Sequence, residues 1–349
     1  MRPVVEKVKI GKGKFEGIQA CANEKGVIAA LAFDQRHTLR NALDAARGSK
    51  GPVTDADMYE FKAAVVKALS PYASSLLIDL GYGSEALKGR APHVGLLLTY
   101  EKTGYDVTVK GRMPDLIPEL SVRRLVERGA QGIKILVHYN PNDVPEINEV
   151  KKAFVERVGA ECAAVDIPLF LEPIAYDESI TGGDAQTLEF ARKKPEYVIR
   201  YMEEFSKPRY GVDVLKVEMP VNMKFVNGTR SFAGGEAAYS REEALEHFKN
   251  AAQAAKKPFI YLSAAVRGEI FIESLELAAE ANVPYSGVLC GRATWQDAIP
   301  IYANEGLPAL QTWLESRGVE NIQALNAVLN QGAQSIWTLY GGAENLEVV

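Results

Sequence analysis

Two lysines of this sequence stand inside hydrophobic runs. Lys134 lies in Gly-Ile-Lys-Ile-Leu-Val, and Lys216 lies in Val-Leu-Lys-Val-Glu. Lysine is almost never fully buried unless it is paired or has a chemical role. Two ammonium groups that share a poorly solvated pocket disfavour each other's charge, so the pKa of one of them should fall from its free value of about 10.4. A neutral lysine amine can attack a ketone and form a Schiff base, which then acts as an electron sink.

Two acids stand at comparable positions, each at the end of an apolar run. Glu172 follows Pro-Leu-Phe-Leu, and Asp34 follows Val-Ile-Ala-Ala-Leu-Ala-Phe. We expect Glu172 to shuttle the protons of carbinolamine dehydration and Asp34 to be a second acid or base. A structural salt bridge is the alternative role for each lysine. Two lysines and two acids at four such run ends favour catalysis over that alternative.

Two further run ends could bind an anion. Ser263 and Ala264 offer a hydroxyl and backbone N–H groups, and Gly291 precedes Arg292, whose guanidinium suits a phosphate. An ion pair between Arg292 and Asp297 is the alternative. The sequence therefore predicts a phosphate site here, and the phosphate belongs to a small molecule, because the whole chain is acidic rather than basic.

These residues lie at the ends of eight short apolar runs, which we interpret as β-strands. Continuous apolar runs are typical of parallel strands that are buried on both faces. The predicted strands are Val27–Asp34, Ser74–Asp79, Val94–Glu101, Gly132–Tyr139, Pro168–Ile174, Val212–Met219, Pro258–Ala264 and Gly287–Arg292.

Segments with helical periodicity alternate with the strands. They are Asp55–Leu69, Ser121–Arg128, Pro145–Cys162, Pro195–Ser206, Arg241–Ala255, Glu269–Ala281 and Asp297–Glu305. Eight strands that alternate with helices favour an α/β fold of the (β/α)8 barrel type over an open doubly wound sheet. In such a barrel the site lies at the carboxyl ends of the strands, where the residues above are predicted to stand.

The chain has no Pro- or Ser-rich linker, so we expect one domain over residues 1–349. Its barrel core spans about 27–306, after an N-terminal extension in which Gly11–Lys14 is predicted to be a polar turn. Extra C-terminal helices are expected within about 307–349, at Ala309–Glu315, Ile322–Leu329 and Gln334–Tyr340. The long Gly- and Asn-rich segment 222–240 is typical of a functional lid or of local disorder.

Composition excludes several classes of protein. The 349 residues include 40 Lys and Arg against 45 Asp and Glu, a net charge of -5, so we expect no nucleic-acid partner. No apolar run reaches the roughly 18 residues of a membrane span. Three scattered cysteines cannot build a disulfide framework, and the N-terminus does not resemble a signal peptide. We therefore expect a cytoplasmic protein.

Two patterns could suggest a cofactor. Gly81–Ala86 matches G-x-G-x-x-A after a predicted strand, with Glu101 about twenty residues on, as in a dinucleotide-binding fingerprint. It follows the second strand and precedes only a short helix, so we do not predict a nicotinamide enzyme; Asp79 before it could cap this turn or contact substrate. The four histidines lack paired ligand spacing, so we expect no metal and no cofactor, and His138 is expected to pack or to contact substrate.

Several stretches resemble the tagatose 1,6-bisphosphate aldolases, which are class I, metal-independent enzymes. The likeness runs in order from about residue 27 to 317. The stretches are Ala32–Arg36 (AFDQR), Ile133–Lys134, Phe170–Glu172 (FLE), Gly211–Glu218 (GVDVLKVE), Pro220–Phe225 (PVNMKF), Tyr261–Ala264 (YLSA) and Gly287–Trp295 (GVLCGRATW).

The resemblance implies a role for each matched residue. It implies that Lys216 forms the Schiff base with dihydroxyacetone phosphate and that Lys134, Glu172 and Asp34 line the same pocket. It also implies a ketone-side phosphate site that includes Leu262, Ser263, Gly291 and Arg292, with Gln35, Arg36 and Ala264 as further substrate-binding candidates. The implied reaction cleaves a ketose 1,6-bisphosphate into dihydroxyacetone phosphate and glyceraldehyde 3-phosphate.

Two alternatives and one departure stay open. Ala265 stands where the family pattern leads us to expect glycine, and this puts the identity of the sugar in question. Another class I aldolase, acting on sulfofructose 1-phosphate or fructose 1,6-bisphosphate, is the nearest alternative. A sugar-phosphate-binding regulator with weak turnover is the second. We also expect a homo-oligomer.

Overall fold

The apolar runs form the wall of a closed barrel. The computed structural model describes residues 7–180 and 187–349, and within them eight parallel strands pair in chain order, with the first also paired to the eighth. The predicted (β/α)8 barrel is confirmed, and the open sheet is wrong. The strands are Ile28–Phe33, Ser75–Ile78, Gly95–Thr99, Gly132–Tyr139, Leu169–Ala175, Val214–Val217, Phe259–Leu262 and Gly287–Cys290.

Helices surround the barrel and extend beyond it. Thr54 and Ser240 each start a helix with a capping box, in which side chain and backbone satisfy one another's hydrogen bonds. One helix starts at Leu188 rather than at the predicted Pro195, because the Thr187 side chain caps it and Pro195 is accommodated inside. The main helices are Lys12–Cys21, His37–Arg47, Asp55–Leu69, Val122–Glu127, Pro145–Ala164, Leu188–Phe205, Arg241–Ala254, Gly268–Glu280, Ala298–Glu305, Leu307–Trp313 and Val319–Gly332.

The amino-terminal end of the barrel is closed by the chain's own extension. The polar turn predicted at Gly11–Lys14 is wrong, because the helix Lys12–Cys21 occupies this position. A side chain at Gly17 would clash with the Gln131 carbonyl, so glycine lets this helix approach the barrel closely. Ile18 and Cys21 join an apolar cluster with strand residues such as Phe170.

The C-terminal tail covers the same end. The predicted helix Ile322–Leu329 lies within Val319–Gly332, and Ala309–Glu315 runs from Leu307–Trp313 into the π-helical turn Leu314–Gly318. The helix predicted over Gln334–Tyr340 is wrong, and only a single turn, Thr338–Tyr340, forms. The backbone N–H groups of Gln334 and Ile336 donate instead to the carbonyls of Tyr285 and Gly26. These bonds direct the chain across the barrel end, where Ile336 and Trp337 pack into the apolar cluster.

The segment 222–240 is ordered by contacts with its surroundings. Its two ends pair as short strands, Val226–Asn227 with Tyr239–Ser240. The buried Glu273 carboxylate accepts hydrogen bonds from the backbone N–H groups of Arg230 and Ser231. These contacts hold the paired strands and the middle of the loop, which argues against local disorder there. Among the described residues, no helix combines the length and the apolar character that crossing a membrane would require.

Candidate active site

A cavity of about 210 Å³ opens at the carboxyl ends of the strands. Strand Gly132–Tyr139 directs Lys134, Leu136 and His138 into it, because alternate residues of a strand face the same side. Seven residues predicted for the site line this cavity. They are Asp34, Gln35, Arg36, Lys134, Glu172, Lys216 and Arg292.

Lys134 lies at the centre of a carboxylate cluster. Its Nζ is 2.8 Å from Asp34 Oδ2, 2.7 Å from Glu101 Oε1 and 2.7 Å from Glu172 Oε2. The side chain is buried, and burial alone would lower its pKa. The three carboxylates outweigh burial and raise the pKa of Lys134 well above its usual value. Lys134 is therefore a fixed positive charge in this pocket.

Lys216 shares one carboxylate oxygen with Lys134. Its Nζ lies 2.9 Å from Glu172 Oε2, and its side chain is buried. Burial would raise the pKa values of Glu172 and Asp34, but the charges of Lys134 and Lys216 hold both below their usual range. The pocket thus contains the two acids expected beside the lysines and a third, Glu101, so three carboxylates balance the two lysines.

The predicted phosphate residues lie at the ends of the seventh and eighth strands. Leu262 ends the seventh strand and is followed by the buried Ser263 and the exposed Ala264. Gly291 packs so closely on Ala32 that a Cβ would clash with the Ala32 carbonyl. Of the residues predicted for the phosphate at these two strand ends, Arg292 lines the cavity. Leu262, Ser263, Ala264 and Gly291 are not among the residues that line it.

Asp79 has a structural position. It forms a fully buried ion pair with Lys62, and its carboxylate accepts a hydrogen bond from the Tyr82 N–H at 2.7 Å, which caps the short helix Leu80–Gly83. Of the two roles left open for Asp79, capping is the one the structure contains. The Gly81 loop is part of this capped turn, and its supposed partner Glu101 is engaged by Lys134.

Aromatic residues lie on the side of the cavity that faces Arg292, over the third to fifth strands. The guanidinium of Arg112 lies 5.3 Å from the Tyr105 ring centroid and 4.8 Å from that of Tyr176. His138 contacts both tyrosine rings edge to face. Burial, followed by the charges of Arg112 and Lys151, lowers the pKa of His138 to about 3, so the imidazole is neutral at pH 7.

The acidic side chains of the cavity gather around an ammonium group. In the part of the chain that the structure describes, no three His, Cys, Asp or Glu side chains are grouped so that they could hold a metal ion. The carboxylates that do converge, those of Asp34, Glu101 and Glu172, converge on the Lys134 ammonium. A buried amine beside a carboxylate can form an imine and move protons to and from it.

Comparison with known proteins identifies the family. The family model for DeoC/LacD family aldolases matches residues 28–297, the whole barrel. The chain belongs to this aldolase family. Its relatives include proteins named tagatose 1,6-diphosphate aldolase. One, from Listeria monocytogenes, is 52% identical over 98% of this chain and 99% of its own, and one from Staphylococcus aureus is 48% identical over 92% and 97%.

A solved structure supports the fold of this aldolase independently. The fructose-bisphosphate aldolase of Plasmodium falciparum superposes with a TM-score of 0.66 over 95% of this chain and 99% of its own. At 11% identity, this similarity concerns the fold alone. It agrees with the closed barrel described above.

Sequence reasoning missed part of this aldolase's pocket. Glu101 ends a predicted strand, but only the structure brings its carboxylate to Lys134; Glu101 Oε2 is buried and accepts no hydrogen bond from the described residues. Tyr105 and Arg112 lie in a loop without periodicity, where no local pattern points to a site. The signal available for Glu101 was its position, since it stands at a strand end like Asp34 and Glu172.

Proposed function

We propose that this chain is a class I aldolase that cleaves tagatose 1,6-bisphosphate through a Schiff base on Lys216. The observation that carries the proposal is the placement of Lys216 Nζ in the barrel cavity, 2.9 Å from a Glu172 oxygen that also contacts Lys134. The names of the Listeria and Staphylococcus relatives support the choice of sugar. The products are dihydroxyacetone phosphate and glyceraldehyde 3-phosphate.

Imine formation begins with proton transfer. The Lys216 ammonium passes a proton to Glu172, and the free amine adds to the C2 carbonyl of the ketose. The resulting carbinolamine loses its hydroxyl as water, with Glu172 returning a proton, and leaves a protonated imine on Lys216. Lys134 keeps its own proton and does not compete as nucleophile, because three carboxylates stabilise its charge.

Carbon–carbon cleavage uses the imine as an electron sink. A cluster carboxylate, Asp34 or Glu172, takes the proton of the C4 hydroxyl, the C3–C4 bond breaks and its electron pair flows into the imine. C4 leaves as the aldehyde and an enamine remains on Lys216. Protonation at C3 and addition of water then release dihydroxyacetone phosphate and restore the amine.

The ends of strands seven and eight are proposed to hold the ketone-side phosphate. Arg292 supplies the charge, Ser263 a hydroxyl, and Leu262, Ala264 and Gly291 supply backbone. Gln35 and Arg36, which line the cavity beside Asp34, are proposed to contact the sugar. Phosphate binding in barrels is frequently built from these two loops.

Borohydride trapping tests the covalent step. Reduction of the enzyme in the presence of dihydroxyacetone phosphate should add one reduced adduct to the peptide that contains Lys216, as mapped by mass spectrometry. The Lys216→Met variant is the matched control and should trap nothing. An adduct on another lysine, or loss of activity on treatment with EDTA, would contradict the mechanism.

A substrate panel tests the sugar. The kcat/KM for tagatose 1,6-bisphosphate should exceed those for fructose 1,6-bisphosphate and sulfofructose 1-phosphate. A preference for either of the other two would keep the chemistry and change the substrate. Tight binding with negligible turnover of all three would instead support a regulator.

The proposal extends to the enzyme's setting. A phosphorylated sugar substrate and the three buried, unpaired cysteines, Cys21, Cys162 and Cys290, suit the reducing cytoplasm. We propose a homo-oligomer there, with no nucleic-acid or membrane partner. Light scattering of the purified enzyme would measure the mass of the assembly.

A further inference from the structure

Positive charge stands on both sides of the cavity. Arg292 follows the eighth strand, whereas Arg112 lies over the fourth and fifth strands, beside His138. In the closed order of eight strands, the fourth and the eighth lie on opposite sides of the barrel. Between these sides, Lys134 Nζ contacts carboxylates at the first, third and fifth strands, and Lys216 Nζ contacts one of the same carboxylate oxygens. A molecule bound across the cavity would therefore meet one guanidinium at each end and the amines at its middle.

Arg112 is held rigidly in this position. Its guanidinium stacks on Tyr176 and Tyr105, and Tyr176 is itself fixed through its hydroxyl, which accepts a hydrogen bond from buried Lys151 at 2.7 Å and donates one to Asp143. A guanidinium stacked on an aromatic face still directs its N–H groups outward in its own plane. Little side-chain freedom is left to lose when an anion binds.

The backbone at Arg112 is also unusual. Its φ is +48°, in the left-handed region, and the preceding Gly111 has a φ of +93°. A residue with a Cβ is disfavoured in this region and persists there only where its surroundings impose it. Non-glycine residues in such conformations concentrate at ligand-binding sites.

Arg112 brings positive charge to its end of the cavity, and the buried Lys151 Nζ lies 4.5 Å from the Tyr176 ring centroid. His138 is neutral because burial and neighbouring cations lower its pKa to about 3. Lys102 is exposed and pairs with Asp115 at 2.8 Å. Glu178 Oε1 lies 3.9 Å from Arg112 Nε and is partly exposed.

We infer that Arg112 binds the phosphate at the aldehyde end of the substrate, opposite the ketone-side phosphate at Arg292. This rests on the proposed function, which requires a sugar with an anionic group at each end. Arg112 is then the residue that makes the enzyme prefer a ketose bisphosphate over a ketose 1-phosphate. His138 and Tyr105 complete the same subsite without adding charge.

Steady-state kinetics on a pair of substrates tests the inference. Arg112→Met keeps a stem of similar length between the tyrosine rings and removes the guanidinium. The ratio of kcat/KM for tagatose 1,6-bisphosphate to that for tagatose 1-phosphate should fall about 10- to 100-fold, mainly through KM for the bisphosphate, since charged hydrogen bonds to the distal phosphate are lost. Arg112→Lys should recover part of this ratio.

Two controls separate the subsite from the fold and from net charge. Arg128 is exposed at the end of helix Val122–Glu127, and Arg128→Met removes the same charge without changing the ratio. Borohydride trapping with dihydroxyacetone phosphate, which has no aldehyde-side group, should proceed in Arg112→Met as in the unaltered enzyme if the pocket is intact.

The outcomes distinguish the two proposals. If the unaltered enzyme cleaves both sugars and Arg112→Met leaves their ratio unchanged, or lowers both equally and loses trapping, the role of Arg112 is wrong and the aldolase proposal stands. If the unaltered enzyme cleaves neither sugar, or prefers the 6-sulfonate of sulfofructose 1-phosphate, the proposed function fails first.

Discussion

The two ends of the barrel use the same strands for opposite purposes. At the amino-terminal end, Ile18, Phe170 and Ile336 belong to one apolar cluster covered by the N-terminal helix and the C-terminal tail. At the carboxyl end, Lys134 and Glu172 are just as deeply buried but carry charge. Buried ions cost stability unless they are paired, whereas buried apolar surface provides it. The amino-terminal, closed end of the barrel therefore stabilises the fold, and the carboxyl, open end contains the site.

Backbone conformation differs between the ends in the same way. Among the described residues, five non-glycine residues have a left-handed φ: Arg112, Asp166, Ala264, Ala265 and Asn282. Asp166 and Asn282 precede strands at the closed end, and Asp and Asn tolerate this region best. The three at the open end are an arginine and two alanines, which tolerate it poorly. Backbone strain is thus concentrated at the end of the barrel that contains the site.

The largest expected effect is on kcat, and it differs between the variants of the two buried lysines, Lys216 and Lys134, at the open end. Lys216→Met should lower kcat by about 10⁴-fold or more, because the nucleophile is lost. Its free energy of unfolding should change by less than about 2 kcal/mol, since Glu172 keeps Lys134 at 2.7 Å. Kinetics and urea unfolding of the same preparations measure both quantities.

Lys134→Met is the matched comparison. It leaves three buried carboxylates without their shared cation, so the unfolding free energy should fall by about 3–5 kcal/mol. Equal stability losses in the two variants would mean that the cluster does not depend on Lys134 as the distances indicate.

At the closed end, substitution should change stability and leave chemistry alone. Ile336→Ala empties a fully buried position and should cost about 2–5 kcal/mol of unfolding free energy, with kcat of the folded enzyme unchanged within about 2-fold. Leu339→Ala, three residues on and 48% exposed, is the control and should cost far less. A large fall in kcat for Ile336→Ala would show that the two ends are coupled.

The pH dependence of stability should contain a contribution from His138 at the open end. Its folded pKa of about 3 lies below the unfolded value of about 6.5, so the unfolded state binds more protons between these values. Stability is then lost as pH falls from about 6.5 towards 3, by up to about 1.4 kcal/mol per pH unit. Urea midpoints of the unaltered enzyme and of His138→Gln, compared at pH 5 and 7, should show a shallower fall in the variant. Parallel pH profiles would mean that folding does not lower the pKa of His138.

Sequence patterns predicted the barrel wall because its strands are continuous apolar runs. The strand Gly132–Tyr139 and the helix Asp55–Leu69 have the predicted bounds, the latter because Thr54 and Asp57 form a local capping box. The helix Lys12–Cys21 escaped prediction, since it contains two glycines and has no strong apolar stripe. It forms where Ile18 and Cys21 can pack on the barrel end, which is tertiary information.

The residues of the site also divide into those that the sequence predicts and those that it does not. Lys134, Lys216 and Glu172 could be predicted because each is a charged residue inside an apolar strand. In a barrel, such a side chain is expected to face the cavity at the carboxyl end. Arg112 could not, because its position depends on a left-handed backbone and on two tyrosines from different loops. No periodicity in the sequence encodes such a contact.

The smallest expected effect concerns the departure noticed in the sequence, Ala265 in place of glycine. Its φ is +60°, and the left-handed region costs a residue with a Cβ roughly 1–2 kcal/mol. Ala265→Gly should therefore raise the unfolding free energy by about 1 kcal/mol, less than the full cost because glycine loses more entropy on folding. The same change at Ala255, which caps a helix with a φ of -68°, should destabilise instead. If Ala265→Gly stabilises the enzyme and leaves KM for the ketose bisphosphate unaltered, the strained alanine lowers stability without affecting substrate binding. A change in KM without a change in stability would show that the Ala265 methyl group shapes the phosphate site.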